Sequence, residues 1–135
     1  MYNRKHSLFA FILLLISSAC FSQANTFLKK YAGSYHMLTD GTVANSKTDK
    51  YVFTPDGKCT WTMFTTVNPD GSVSNIPVKK SGTWKASEGL IQMHFVMGDG
   101  EGEELISDFQ LTNGVFRAGN IYLKKILAAK AEVKK

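Results

Sequence analysis

The fold class that the sequence predicts is all-β: a small antiparallel up-and-down barrel or sandwich, following an N-terminal signal peptide. Three observations point there. Apolar and polar residues alternate with period two through most of residues 33–123. Asp56-Gly57, Asp70-Gly71 and Asn113-Gly114 punctuate that stretch, and Asp or Asn before Gly suits the positive φ of a tight hairpin. Several connections are only a few residues long, which reach antiparallel neighbours and no others.

The strands expected from this pattern are Ser34–Thr39, Lys50–Thr54, Lys58–Thr66, Val73–Val78, Gly82–Ala86, Leu90–Met97, Glu104–Thr112, Val115–Ala118 and Asn120–Lys124. Pro55 and Pro69 precede two of the turns and preset the backbone for them. Ahead of the first strand, Thr26 to Tyr31 reads as a short helical turn that plugs one end of the domain. Closing the meander into a barrel removes the exposed strand edges.

Alternation also assigns faces. Cys59, Trp61 and Met63 share one face of their strand. Ile91, Met93, Phe95 and Met97 share another, opposite Gln92 and His94. Leu105, Phe109 and Leu111 line up against Asp108 and Gln110. These apolar faces are expected to form the interior, with Trp61 and Trp84 both largely buried.

The amino terminus has a different character. Asn3, Arg4, Lys5 and His6 form a short basic segment, Leu8 to Ile16 is an unbroken apolar run of nine, and Ser17, Ser18 and Ala19 follow. Basic, apolar, small is the order of a signal peptide. The run is too short to span a bilayer, which takes about 20 apolar residues. Ser22 and Ala24 place small residues at the positions a signal peptidase reads before Asn25. The domain plan is therefore a signal peptide over 1–24, a β domain over 25–125 and a basic tail over 126–135. The protein is expected in the periplasm or outside the cell. Lipid attachment at Cys20, giving an outer-membrane lipoprotein, is the alternative. Ala19 fits that reading, and Ser17 stands where an aliphatic residue is usual.

Composition narrows function. The chain carries 16 Lys and Arg against 11 Asp and Glu, but residues 25–123 hold nine basic and ten acidic side chains. The surplus sits in the last twelve residues, KKILAAKAEVKK, so the body lacks the basic face that nucleic acid requires. A membrane partner is expected only if Cys20 is lipidated. The mature part keeps one cysteine, Cys59, which cannot close a bridge within the domain. On a strand face without a neighbouring cation, it reads as a buried, inert thiol. His36 and His94 fall on outward faces without a second ligand at metal spacing, so no metal or cofactor is implied. The acidic loop Asp99–Glu104 does not match the twelve-residue calcium loop. Sequence signatures of nucleophilic, metal-dependent or nucleotide-dependent catalysis are missing, and no enzyme is expected.

The run Tyr51 to Trp61 (YVFTPDGKCTW) and the run Gly82-Thr83-Trp84-Lys85 with the hairpin after it resemble the strand–turn–strand units of lipocalin-like domains in exported bacterial proteins. Gly33-Ser34-Tyr35, after the helical turn, sits where such families often carry Gly-x-Trp, with Tyr35 in place of the Trp. The resemblance covers most of residues 33–123 and implies a barrel that holds a small ligand. Met37, Met63, Met93 and Met97 all fall on inward faces, and flexible, polarisable Met suits a pocket for an apolar guest as well as it fills a core. Met37, Trp61, Met63, Met93, Phe95 and Met97 are the candidate ligand-binding residues, for a small apolar or amphipathic molecule. The competing reading is an envelope or secreted interaction domain with a solid core and no ligand.

The exported protein is expected to begin at Asn25 or within a residue or two of it. Sequencing its amino terminus checks this; a diacylglyceryl Cys20 in first position would replace it with the lipoprotein reading.

Overall fold

The computed structural model describes residues 26–98 and 102–128. The segment expected as a signal peptide (with Cys20), the tip of the acidic loop and the tail beyond residue 128 lie outside that range. Ten strands follow a helical segment at residues 26–31: β1 (Gly33–Thr39), β2 (Lys50–Phe53), β3 (Lys58–Met63), β4 (Thr66–Val67), β5 (Val73–Ser74), β6 (Val78–Ser87), β7 (Leu90–Met97), β8 (Glu103–Thr112), β9 (Val115–Ala118) and β10 (Ile121–Lys125). Eight of them close a barrel in the order β1-β10-β9-β8-β7-β6-β3-β2, and β4 with β5 forms a separate two-stranded ribbon between β3 and β6. Every barrel strand pairs antiparallel with its neighbour in the chain, the ribbon aside, and β1 pairs with β10 to close the ring. This is the expected up-and-down barrel.

The turns form for local reasons. Gly57 (φ 84°) closes the β2–β3 hairpin, where its N–H donates to Thr54 O at 3.1 Å. Asn113 and Gly114 both have positive φ, the geometry that matches strand twist in a two-residue hairpin. Three strands differ from expectation by more than a residue. The segment expected as Lys58–Thr66 breaks after Met63 because Phe64 gives its N–H to the Asp49 carboxylate at 3.1 Å. The segment expected as Val73–Val78 stops at Ser74, ahead of Pro77, which has no N–H to give to a ladder. Pairing resumes at Val78, so β6 runs four residues further back than Gly82, with Lys79, Lys80 and Ser81 opposite Thr62, Trp61 and Thr60.

The two barrel ends differ. At one, residues 26–31 tuck in as a plug. Tyr31 is buried there, its ring edge-on to Phe116 at 4.9 Å. Its hydroxyl accepts from Gly89 N at 3.1 Å, and its carbonyl accepts from the Tyr35 hydroxyl at 2.7 Å. Trp84 pins the β2–β3 turn to the same end: its indole N–H donates to Thr54 O and its backbone N–H to Gly57 O, both at 2.9 Å. Ile126 N–H donates to Ser34 O at 2.8 Å, so β1 holds the chain one residue past β10.

Between the ends the interior is filled. Phe53, Ile91, Met93 and Phe95 are at most 2% exposed. Tyr51 stacks on Phe53 at 6.0 Å, and Phe53 meets Trp84 at 4.9 Å. Gly82 makes this possible, because a β-carbon there would lie 2.6 Å from the Phe95 ring and 2.5 Å from His94 O. Inward register does not always mean burial. Leu105 and Leu111 face inward opposite Phe95 and Phe116, yet they are 36% and 43% exposed, because each lies near an end of β8. The reverse holds for Leu38, which is buried although its register is outward.

Trp84 is buried as expected, whereas Trp61 is only half-buried. Trp84→Ala should cost about 3–5 kcal/mol, and Trp61→Ala clearly less. Gly82→Ala, usually a mild change, should cost about 1–3 kcal/mol by overpacking against Phe95. Urea unfolding of the three variants checks the ranking.

Candidate functional site

The six candidate residues divide by depth. β1, β3 and β7 all run toward the end away from the helical plug, so Met37, Met63 and Met97 all lie toward that end, near its rim. All three are half-buried, as is Trp61 one inward step below Met63. Met37, Trp61 and Met97 pack against the core from outside it, together with Ala118 and Ile121. Met93 and Phe95 sit lower and are buried in the core itself.

An aromatic floor separates the two levels. Trp61 lies 5.6 Å from Tyr51 and 5.7 Å from Phe95, and Tyr51 and Phe95 are 6.2 Å apart. Such pairs are worth about 0.5–1.5 kcal/mol beyond the area they bury. The floor is oriented by Asp49, which the sequence did not single out. One carboxylate oxygen accepts from the Trp61 indole N–H and the other from Phe64 N, each at 3.1 Å. The Asp49 carbonyl accepts from Met37 N at 2.9 Å. The Tyr51 hydroxyl donates to Met37 Sδ at 3.4 Å, within reach of a weak sulfur acceptor. Lys80 brings a cation to this rim, since it pairs with Trp61 across the β3–β6 ladder and is half-buried.

Electrostatically the interior favours neutral groups. Burial pushes the Cys59 thiol up to about 11, and it raises Tyr51 above its ordinary value with help from Asp49 and Cys59. Tyr35 is raised by burial and by Tyr31. Cys59 is a buried free thiol, with Lys58 exposed beside it. The histidines are less exposed than expected. His36 and His94 are half-buried, and His94 Nε2 lies 3.6 Å from Glu104 Oε2, too long for a direct hydrogen bond. Among the described residues no group of three or more His, Cys, Asp or Glu is placed to hold a metal ion.

The clefts of the described surface include three that have none of the six candidate residues in their walls. One of about 370 Å³ lies between Leu28 of the plug and the β6–β7 hairpin. One of about 300 Å³ lies on the outer face around His94, Glu104 and Ile106. One of about 560 Å³ lies beside the plug, between β9 and β10.

Comparison with protein-family models, curated proteins and solved structures finds no match to this chain.

Stability should fall on the alkaline side. A thiol that titrates near 9.0 when unfolded and near 11 when folded leaves stability unchanged below pH 9. Between those values the unfolded chain has given up its proton and the native protein has not, so rising pH favours unfolding. Tyr51 and Tyr35 add the same sign above 10. Urea midpoints measured from pH 7 to 11 should drop above pH 9, with a shallower fall in Cys59→Ala.

Proposed function

We propose that this chain is an exported, lipocalin-like binding module, and that a small apolar or amphipathic molecule seats at the Met-lined rim of the barrel. One observation carries the reading. Met37, Trp61, Met63 and Met97 all fall on inward register positions at one end and are half-buried, while Tyr51, Met93 and Phe95 beneath them are buried. Partly solvated Met can repack around a guest at little cost. The filled middle limits the depth, so a guest rests on the floor of Tyr51, Trp61 and Phe95, and Met93 lies beneath its reach. An eight-stranded barrel has an interior that side chains can just fill or that holds one small ligand. The domain acts by binding and without catalysis.

A second reading is favoured by a different set of residues. Val43, Val67, Val73 and Ile76 are 59% to 82% exposed on the β1–β2 loop, the ribbon and the segment after it. Apolar loop surface of this kind suits a protein partner. In that case the barrel is a solid support for its loops.

Binding of the neutral fluorescent probe N-phenyl-1-naphthylamine separates the two. The ligand reading expects saturable binding that Met63→Lys abolishes, in a variant shown to melt like the parent protein. Met63 serves better than Met93 here because a charge at the buried Met93 would unfold the core. No saturable binding by the parent protein would leave the interaction domain in front.

A further inference from the structure

The barrel wall opens beside the plug. β10 stays paired with β1 through Lys124 and Lys125, opposite His36 and Tyr35. Its pairing with β9 ends earlier, at Leu123 opposite Phe116. Val115, the next residue of β9, pairs with Thr112 of β8 and has no partner on β10. The two strands part there, and the gap is the cleft of about 560 Å³, well within the size range of small-molecule sites. The splay explains why both faces of β10 contribute to its walls.

The chemistry of that cleft is one-sided. Lys30, Lys124 and Lys125 line it, and no Asp or Glu does. All three are exposed, and none has an ion-pair partner among the described residues. Lys125 lies over an aromatic face, its ammonium 5.8 Å from the centre of the Tyr35 ring. Lys30 is placed likewise, its ammonium 5.4 Å from the Tyr31 ring centre. Cations held over aromatic faces have less freedom to lose when an anion arrives. Leu111, Val115 and Phe116 supply an apolar wall.

We infer that this cleft binds a single-chain anionic amphiphile, with its carboxylate among the three ammonium groups and its apolar body along Leu111, Val115 and Phe116. Charge complementarity commits to that occupant. The C-terminal tail, with Lys130, Lys134 and Lys135 against Glu132, brings the wrong sign. A bare inorganic anion would leave the apolar wall uncovered. The site is separate from the rim described above and stands or falls independently of it.

Monomeric decanoate tests it by calorimetry on the mature protein, beside decanol, inorganic phosphate and phosphatidylglycerol vesicles. Decanoate should bind at one site, decanol and phosphate much more weakly. Lys124→Gln with Lys125→Gln should weaken decanoate binding about tenfold or more, as expected for losing charge-assisted contacts. Both side chains are exposed, so the double variant should melt like the parent protein. Met63→Lys should leave decanoate binding unchanged. Decanoate binding that survives the lysine variant, or that Met63→Lys alone abolishes, would overturn the assignment and return the ligand to the rim. Binding to vesicles without binding to decanoate would overturn it in favour of a membrane surface. No binding of decanoate at all would also overturn it.

Discussion

The Phe95 ring occupies the space that a β-carbon on Gly82 would need, and the rest of the interior is arranged around that contact. With Phe95 pressed flat against β6, Tyr51 and Trp61 can approach it from β2 and β3 and form a floor across the barrel. Below the floor the aromatic packing continues through Phe53 to Trp84 and Tyr35. A single glycine thus lets rings from three strands share one level. Among the described residues the one cysteine, Cys59, is a free thiol, so the stability of the barrel must come from this packing.

Filling the middle makes the two ends chemically distinct. At the plugged end, polar groups meet partners at fixed distances: the Tyr31 hydroxyl takes the Gly89 N–H, and Trp84 takes the open carbonyls of the β2–β3 turn. Each bond joins segments far apart in sequence, so the end is tied together by tertiary contacts. At the other end one carboxylate, Asp49, does comparable work for Trp61 and Phe64, and Met37 above it is tied only by the weak contact its sulfur accepts from the Tyr51 hydroxyl. Order at the floor and looseness at the rim follow from that difference.

The fold was legible because alternation is a property of single strands. β7 matches its expected bounds because every second residue from Ile91 to Met97 is apolar. β6 was read short because Lys79, Lys80 and Ser81 carry no apolar signal, and their pairing with β3 supplies what side-chain pattern does not. Faces were legible too, hence the grouping of Met37, Met63 and Met97, but depth was not. Depth depends on where each strand ends relative to its neighbours, which decides that Leu111 is exposed and Phe109 buried on one face of one strand. Asp49 was missed for a related reason: its partners lie 12 and 15 residues on, and only the closed hairpin brings them to it. The gap beside β10 left one faint trace in the sequence. The run before the final strand, Val115–Ala118, is short and cannot accompany β10 along its length.

The same mismatch in strand length distributes charge around the barrel. A neutral body can still present a strongly cationic local surface if its lysines gather where the wall is open and its carboxylates are engaged elsewhere. Asp40 is engaged by Arg117 at 2.8 Å, and Asp56 by the Thr54 hydroxyl and Lys58 N–H, so neither faces the gap. As proposed ligand sites, the rim and the gap would select on different grounds. The rim rewards burial of apolar surface and penalises a charge that must be desolvated over the aromatic floor. The gap keeps its ammonium groups in water and offers an anion partial desolvation along one apolar wall, where attraction is stronger than in bulk solvent. Under the two proposals a neutral guest would go to the first and an anionic one to the second, and the second exists because two neighbouring strands part.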